Sequence, residues 1–249
     1  MANNDIEKYG LIGKNISYSF SKKYFTDKFE RENLPNFSYQ NFDIADISEL
    51  QKIVEESLYL KGLNVTIPYK ESVFPFLDKV NKKALLIGAV NTIKISKKGK
   101  LKGYNTDYYG FRKSIKPFLK AHHKKALILG TGGASKAVAY ALQTLNITFK
   151  FVSRAPDSDR LSYENLNQEI FDTYHIIINC TPIGTFPNIE EAPLLPYELF
   201  TKEHLAFDLI YNPAETAFLQ KAKEHHAITV NGQQMLIYQA EKAWKIWHK

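Results

Sequence analysis

The sequence predicts an α/β protein whose second half is a doubly wound parallel sheet, and three observations carry that reading. Residues 124–130 form a short buried-strand pattern that runs through Thr131-Gly-Gly-Ala-Ser-Lys136 straight into a small-residue helix over 137–145. Two later apolar runs, 175–179 and 205–208, each lead into a polar loop that contains proline. A strand at 148–153, a crossover helix over 214–226 and a last strand at 228–230 complete an alternation of strands and helices. Such alternation builds a parallel sheet.

The glycine-rich turn has the strand-turn-helix context of a dinucleotide site. Gly130-x-Gly132-Gly133-x-Ser135 carries a serine at the third small position, where a small side chain still permits close helix–strand packing. Backbone N–H groups at the helix start would face a pyrophosphate. The strand 148–153 ends at Arg154, with no acidic residue from Val152 to Ala155 and Asp157 lying beyond the strand end. An acidic group there would bond the ribose hydroxyl of NAD, whereas an arginine accommodates the 2′-phosphate of NADP. NADP is therefore the expected cofactor, with a solvated surface arginine as the plainer reading of Arg154. The loops after 179 and 208 would lie at the carboxyl end of the sheet, beside the nicotinamide. Cys180 reads as a small packed residue, because no histidine stands in nucleophile spacing to it.

The first half carries a different chemistry. In Gly62-Leu-Asn-Val-Thr-Ile-Pro-Tyr-Lys70 the apolar side chains alternate through Leu63, Val65 and Ile67, which predicts a short strand. Pro68 stops that strand and opens a helix, since its missing N–H would be unpaired there anyway. Lys70 then projects from the first helical turn, beside Asn64 and Thr66, where a cation is locally disfavoured. Gly88-Ala-Val-Asn-Thr92 leads through a hairpin turning at Lys97-Lys-Gly-Lys100 to Gly103-Tyr-Asn-Thr-Asp107. Asn91, Asn105 and Asp107 fall at strand ends, where Asx residues either shape turns or meet ligands.

Composition narrows the class. The chain has 249 residues, enough for one large domain or two small ones, and no apolar run near the ~18 residues of a membrane span. The N-terminal residues show no basic segment followed by an apolar one, so no signal peptide is expected. A single cysteine, Cys180, excludes an internal disulfide and fits a reducing cytosol. No Cys/His cluster has zinc-ligand spacing, so no metal is expected. The 33 basic against 26 acidic residues give +7, but the lysines are dispersed and no nucleic-acid motif appears. The surplus favours anionic small molecules or plain solubility. At the C-terminal end Leu236, Ala240, Ala243, Trp244 and Trp247 form a helical apolar stripe, with Gln239 on its margin.

Taken together, Gly62-x-Asn-Val-Thr-x-Pro-x-Lys70, Gly88-Ala-Val-Asn-Thr92, Gly103-x-Asn-Thr-Asp107, Gly130-x-Gly-Gly-Ala134, Asn179-x-Thr-Pro-x-Gly184, Asp208-x-x-Tyr-Asn-Pro213 and Asn231-Gly-x-x-Met-Leu-x-x-Gln239-Ala resemble the shikimate dehydrogenase family. The resemblance runs from about Tyr9 to Ala240, in the family's order. It implies an N-terminal α/β substrate domain (1–106 plus 233–249) and a C-terminal Rossmann-type NADP domain (107–232). It also implies reversible reduction of 3-dehydroshikimate to shikimate with NADPH, in aromatic amino-acid biosynthesis. Lys70 would be the acid/base and Asp107 its partner. Asn64, Thr66, Asn91 and Gln239 would bind ring hydroxyls, Tyr211 would sit by the substrate, and Ser19 with Ser21 would share its carboxylate. Gly130, Gly132, Gly133, Ala134, Ser153, Arg154, Thr181, Gly232 and Met235 would bind the cofactor. The partners expected are this small-molecule substrate alone, without nucleic acid or membrane, for a cytoplasmic monomer or homodimer. N-capping of the following helix is the alternative role for one of the serines.

The sequence departs from the family at Asn15 and Tyr18, where Pro and His are usual, and in Ser153-Arg154-Ala155, where Asn-Arg-Thr is common. Ser158 stands where a second arginine is usual, which predicts a weaker NADP preference. A quinate/shikimate dehydrogenase of broader specificity and a non-catalytic NADP- or shikimate-binding sensor are the competing readings. Intact Lys70 and Asp107 argue against the sensor. A basic RNA-binding protein has only net charge behind it.

Overall fold

A computed structural model describes residues 6–17, 19–155 and 157–249. Tyr18, one of the departures from the family, and the N-terminal residues read as lacking a signal peptide lie outside them. The chain divides into two units, one running to Thr106 and resuming over Ala240–Lys249, the other Asp107–Gln239.

The first unit is built from β1 (Glu7–Gly13), α1 (Phe20–Arg31), β2 (Phe37–Asp43), α2 (Glu49–Glu56), β3 (Leu60–Val65), α3 (Tyr69–Ser72), β4 (Lys79–Val80), α4 (Lys82–Ile87), β5 (Thr92–Ile95) and β6 (Leu101–Tyr104). Its sheet has the order β2-β1-β3-β5-β6-β4 among the described residues. Strands β1, β2 and β3 run parallel, and β5 is antiparallel to both β3 and β6. The hairpin expected between residues 92 and 104 is therefore present, with Gly99 taking a left-handed φ of 74° in its turn.

Strand β3 differs from its expected in–out alternation, because Gly62, Leu63, Asn64 and Val65 are all buried. The sheet is covered on both faces: Ile12, Leu63 and Val65 pack with Leu50 and Val73 on one, while Tyr9, Phe25 and Trp247 close the other. Ile67 lies past the strand end and is 68% exposed. Gly62 is required by packing, since a Cβ there would lie 2.2 Å from the Trp247 indole nitrogen, which donates to the Ile93 carbonyl at 3.0 Å.

The second unit contains α5 (Asp107–Ile115), β7 (Lys125–Leu129), α6 (Gly133–Thr144), β8 (Thr148–Val152), β9 (Arg160–Leu161), α7 (Gln168–Thr173), β10 (Ile176–Asn179), β11 (Leu205–Asp208), α8 (Ala217–Glu224), β12 (Ile228–Val230) and the start of α9 (Gln233–Trp247). The sheet is parallel throughout, in the order β12-β11-β10-β7-β8-β9. From β7 the chain builds outward through β8 and β9, then returns to place β10 on β7's other side. That reversal opens a crevice at the carboxyl ends of β7 and β10, where doubly wound sheets hold their ligands.

Helix α9 contributes to both units. Met235 joins the core with Phe111 and Phe207, whereas Ala240, Ala243 and Trp247 join the core with Tyr9 and Phe25. The division falls between Gln239 and Ala240 rather than at residue 233, because the side chains change cores there. Among the described residues no helix is long and apolar enough to cross a membrane.

Candidate active site

In the first unit Lys70 stands in a helical turn just after Pro68, as the sequence predicts. Pro68 precedes α3, a single turn, and Lys70 stands half-buried within it. The Lys70 carbonyl accepts the Val90 N–H at 2.8 Å, and Val65 N–H donates to Asn91 O at 2.8 Å. Two motifs far apart in composition are thus joined by backbone bonds. Thr66 is half-buried, its N–H donating to Ile12 O at 2.9 Å.

Behind them lies a buried polar cluster. The Asn64 amide nitrogen donates to Asn91 O and Thr92 Oγ1, both at 3.3 Å. Asn91 Oδ1 accepts from Thr106 N–H at 2.7 Å and from Thr92 Oγ1 at 3.0 Å, and its amide nitrogen donates to Thr106 Oγ1 at 2.9 Å. Asn105 donates to the Ala89 carbonyl at 2.9 Å. Buried amides need such partners, so most of these valences hold the site in shape.

Ser19 occupies the N-cap of α1 yet makes no capping bond, and among the described residues its buried Oγ has no partner. The capping role is therefore not the one this serine plays. An unpartnered hydroxyl at the start of a 12-residue helix suits an anion. Ser21 is buried two residues on. The loop before them is fixed where it departs from the family: Asn15 takes the left-handed region (φ 56°), and the Asp43 carboxylate accepts its N–H at 2.9 Å and that of Ile16 at 3.1 Å.

The second unit presents the glycine turn. Gly130 has φ 95°, and a Cβ there would come 3.2 Å from Thr181 Cγ2, so the turns after β7 and β10 lie side by side. Gly132 is the N-cap of α6, makes no side-chain cap, and has open space where a Cβ would stand. Helix N–H groups uncapped by side chains behind an unobstructed glycine fit a pyrophosphate. Gly133 and Ala134 form the first turn, and buried Ser135 donates to Gly132 O at 2.6 Å, folding the small third position inward.

Past β8, Ser153 N–H donates to Leu161 O at 2.9 Å, which leaves Arg154 exposed. Asp157 is engaged by its own loop, with Arg160 Nε at 3.3 Å and Asp159 N–H at 3.0 Å. The nearest acidic group is thus tied away from a ribose-binding role. Gly232 is needed for close approach: its N–H donates to Ile210 O at 2.9 Å, and a Cβ would fall 2.1 Å from Leu209 O. Met235 and Gln239 are buried on α9, and Tyr211 is half-buried.

Two polar groups carry roles that sequence reading left unassigned. Asp208, fully buried, accepts from Thr216 Oγ1 at 2.6 Å, Ile210 N–H at 3.0 Å and the Asn179 amide at 3.1 Å. Asn179 in turn accepts the Thr181 hydroxyl at 2.6 Å, so the loops after β10 and β11 are fastened together. Burial pushes the Asp208 carboxyl up to about 6, against the pull of those three donors. The same burial, with Asp208 close by, raises the Cys180 thiol well above its ordinary range, so it is no thiolate nucleophile. Tyr39, the other, donates to Asn64 Oδ1 at 2.8 Å. The Asp208 motif was visible in sequence without its role, whereas nothing in the sequence around Tyr39 marked it. Among the described residues no group of three or more His, Cys, Asp or Glu could hold a metal.

A parallel sheet with an open glycine turn in one unit, and a lysine with a buried set of amides and hydroxyls in the other, are the parts of a two-unit dinucleotide-dependent dehydrogenase. Comparison with known proteins narrows this. Residues 11–93 match the model of the shikimate dehydrogenase substrate binding domain. A Clostridium botulinum protein named shikimate dehydrogenase (NADP(+)) is 40% identical, over 96% of this chain and 95% of its own. Two solved structures agree over their length. That of shikimate dehydrogenase from Aquifex aeolicus has TM-score 0.86 and 37% identity, covering 99% and 94% of the two chains. The Thermus thermophilus enzyme in complex with NADP(H) and shikimate has TM-score 0.84 and 30% identity, covering 97% and 93%. This chain belongs to the shikimate dehydrogenase family.

Proposed function

We propose that the chain reduces 3-dehydroshikimate reversibly to shikimate with NADPH, in aromatic amino-acid biosynthesis, as a cytoplasmic monomer or homodimer acting without nucleic acid. The observation that carries the proposal is the unpartnered Ser19 hydroxyl near buried Ser21, in the same unit as Lys70 and the Asn64–Asn91 amides. A carboxylate at one end and hydroxyls around a ring match that set of groups.

In this reading the first unit is the substrate domain and the second the NADP domain. Ser19 and Ser21 donate to the carboxylate, and Asn64, Thr66, Asn91 and Gln239 receive or donate to the ring hydroxyls, with Tyr211 alongside. The helix start at Gly130, Gly132, Gly133 and Ala134 holds the pyrophosphate. Ser153 and Arg154 hold the 2′-phosphate, and Thr181, Gly232 and Met235 lie on the nicotinamide side. NADPH, when bound, supplies the hydride. Charge then develops on the ketone oxygen, and the Lys70 ammonium stabilises it and gives it a proton. Asp107 assists as the partner carboxylate in that transfer. General acid–base help of this kind contributes roughly 10²–10⁴-fold.

Initial rates of nicotinamide reduction, with shikimate or quinate crossed against NADP⁺ or NAD⁺, test the proposal. Turnover that is fast only with shikimate and NADP⁺ is expected. Comparable rates with quinate or NAD⁺ would move the chain to the broader dehydrogenases. Ligand binding without turnover in any pairing would make it a sensor.

A further inference from the structure

We propose that Tyr39 is a positioning residue of the substrate site, its phenol reaching across β1 to fix the position and polarity of the Asn64 amide. The inference rests on the assignment of Asn64 to substrate made above.

Tyr39 lies on β2 and Asn64 on β3, with β1 between them. Two strand spacings amount to roughly 10 Å. Tyr39 is opposite Tyr9 and Asn64 is opposite Leu11, so the phenol crosses β1 diagonally. A long rigid side chain with a polar tip spans that gap. The ring is held by Phe25, stacked at 4.7 Å and 14°, with Trp247 at 6.5 Å on another side, so it has little freedom to swing.

The bond has a direction. Tyr39 donates to Asn64 Oδ1 at 2.8 Å. An amide can turn over and exchange its oxygen and nitrogen ends, and a donor at one end settles which faces where. The Asn64 amide's own donations, to Asn91 O and Thr92 Oγ1, are both 3.3 Å, so the Tyr39 bond is the short one that fixes the orientation. Complete burial raises the phenol's pKa, which keeps it a donor across the working pH range.

Tyr39→Phe keeps the ring and removes the link. The expected result is a shikimate KM raised about tenfold, equivalent to about 1.4 kcal/mol, with kcat lowered less than threefold and NADP⁺ affinity, read by fluorescence quenching, unchanged. In an Asn64→Ala background the same substitution should change KM less than twofold. A KM within twofold of wild type for Tyr39→Phe, when Ser21→Ala and Asn64→Ala each raise it, overturns the role of Tyr39 and leaves the site assignment standing. Unchanged KM in all three overturns the site assignment, and this proposal with it. Should Tyr39→Phe fail to fold, NMR of the wild-type protein decides: a slowly exchanging Tyr39 hydroxyl proton supports the bond to Asn64, and its absence overturns it.

Discussion

Replacing Asp208 by Asn changes stability in a pH-dependent way whose sign and size follow from its surroundings. The carboxyl is fully buried and pushed from 3.8 to about 6. Its native pKa exceeds its unfolded one, so its contribution to stability is complete below the unfolded value and is lost as pH rises through the native value. A shift of this size corresponds to ~3 kcal/mol in all, at 1.36 kcal/mol for each pH unit. Between about pH 5 and 7.5 the part still to be lost is ~1.4 kcal/mol. Asparagine does not titrate, can accept from Ile210 N–H and Asn179 through Oδ1, and can donate through Nδ2 to Thr216 Oγ1. The difference in unfolding free energy between Asp208→Asn and wild type should therefore shift in the variant's favour by that ~1.4 kcal/mol over this range. Urea unfolding followed by far-UV circular dichroism measures it. A difference that stays constant from pH 5 to 7.5 would refute the reasoning.

Three further outcomes are expected. Lys70→Ala should lower turnover by at least about a hundredfold with NADP⁺ binding intact, and Asp107→Asn should impair both catalysis and shikimate binding, each read from steady-state kinetics. Arg154→Ala should raise the KM for NADP⁺ by about tenfold, as for one lost charge-assisted bond, and leave that for NAD⁺ unchanged; equal effects on both would remove Arg154 from phosphate recognition. Gly232→Ala forces a Cβ to 2.1 Å from Leu209 O, so the two loops must part. A loss of about 1–3 kcal/mol in thermal or urea unfolding is expected, and an unchanged midpoint would show that the loops yield freely.

Much of the second unit was legible in the sequence because its signals are local. A run of apolar residues, two glycines and a row of small residues specify strand, turn and helix within about twenty positions. The hairpin between Thr92 and Tyr104 and the turn holding Lys70 follow from equally local cues. The strand β3 is legible in the alternation of its apolar residues, but burial of both its faces is not, because it depends on α9, more than 170 residues away in the chain (Gly62 meeting Trp247). The capping state of Ser19 met the same limit: a serine before a helix is open to both capping and carboxylate binding, and only the packed loop shows that it makes no cap.

The sequence by itself determined the doubly wound half, the glycine turn, the lysine at the strand end and the ordered motifs of the family, all properties of contiguous residues. Tertiary structure alone decided that Tyr39 reaches Asn64 across β1, that Asp208 fastens the loops of β10 and β11, and that α9 changes cores between Gln239 and Ala240. Those facts rest on strand order and register. Hydrogen bonds and desolvation act through space, between groups that the sequence separates.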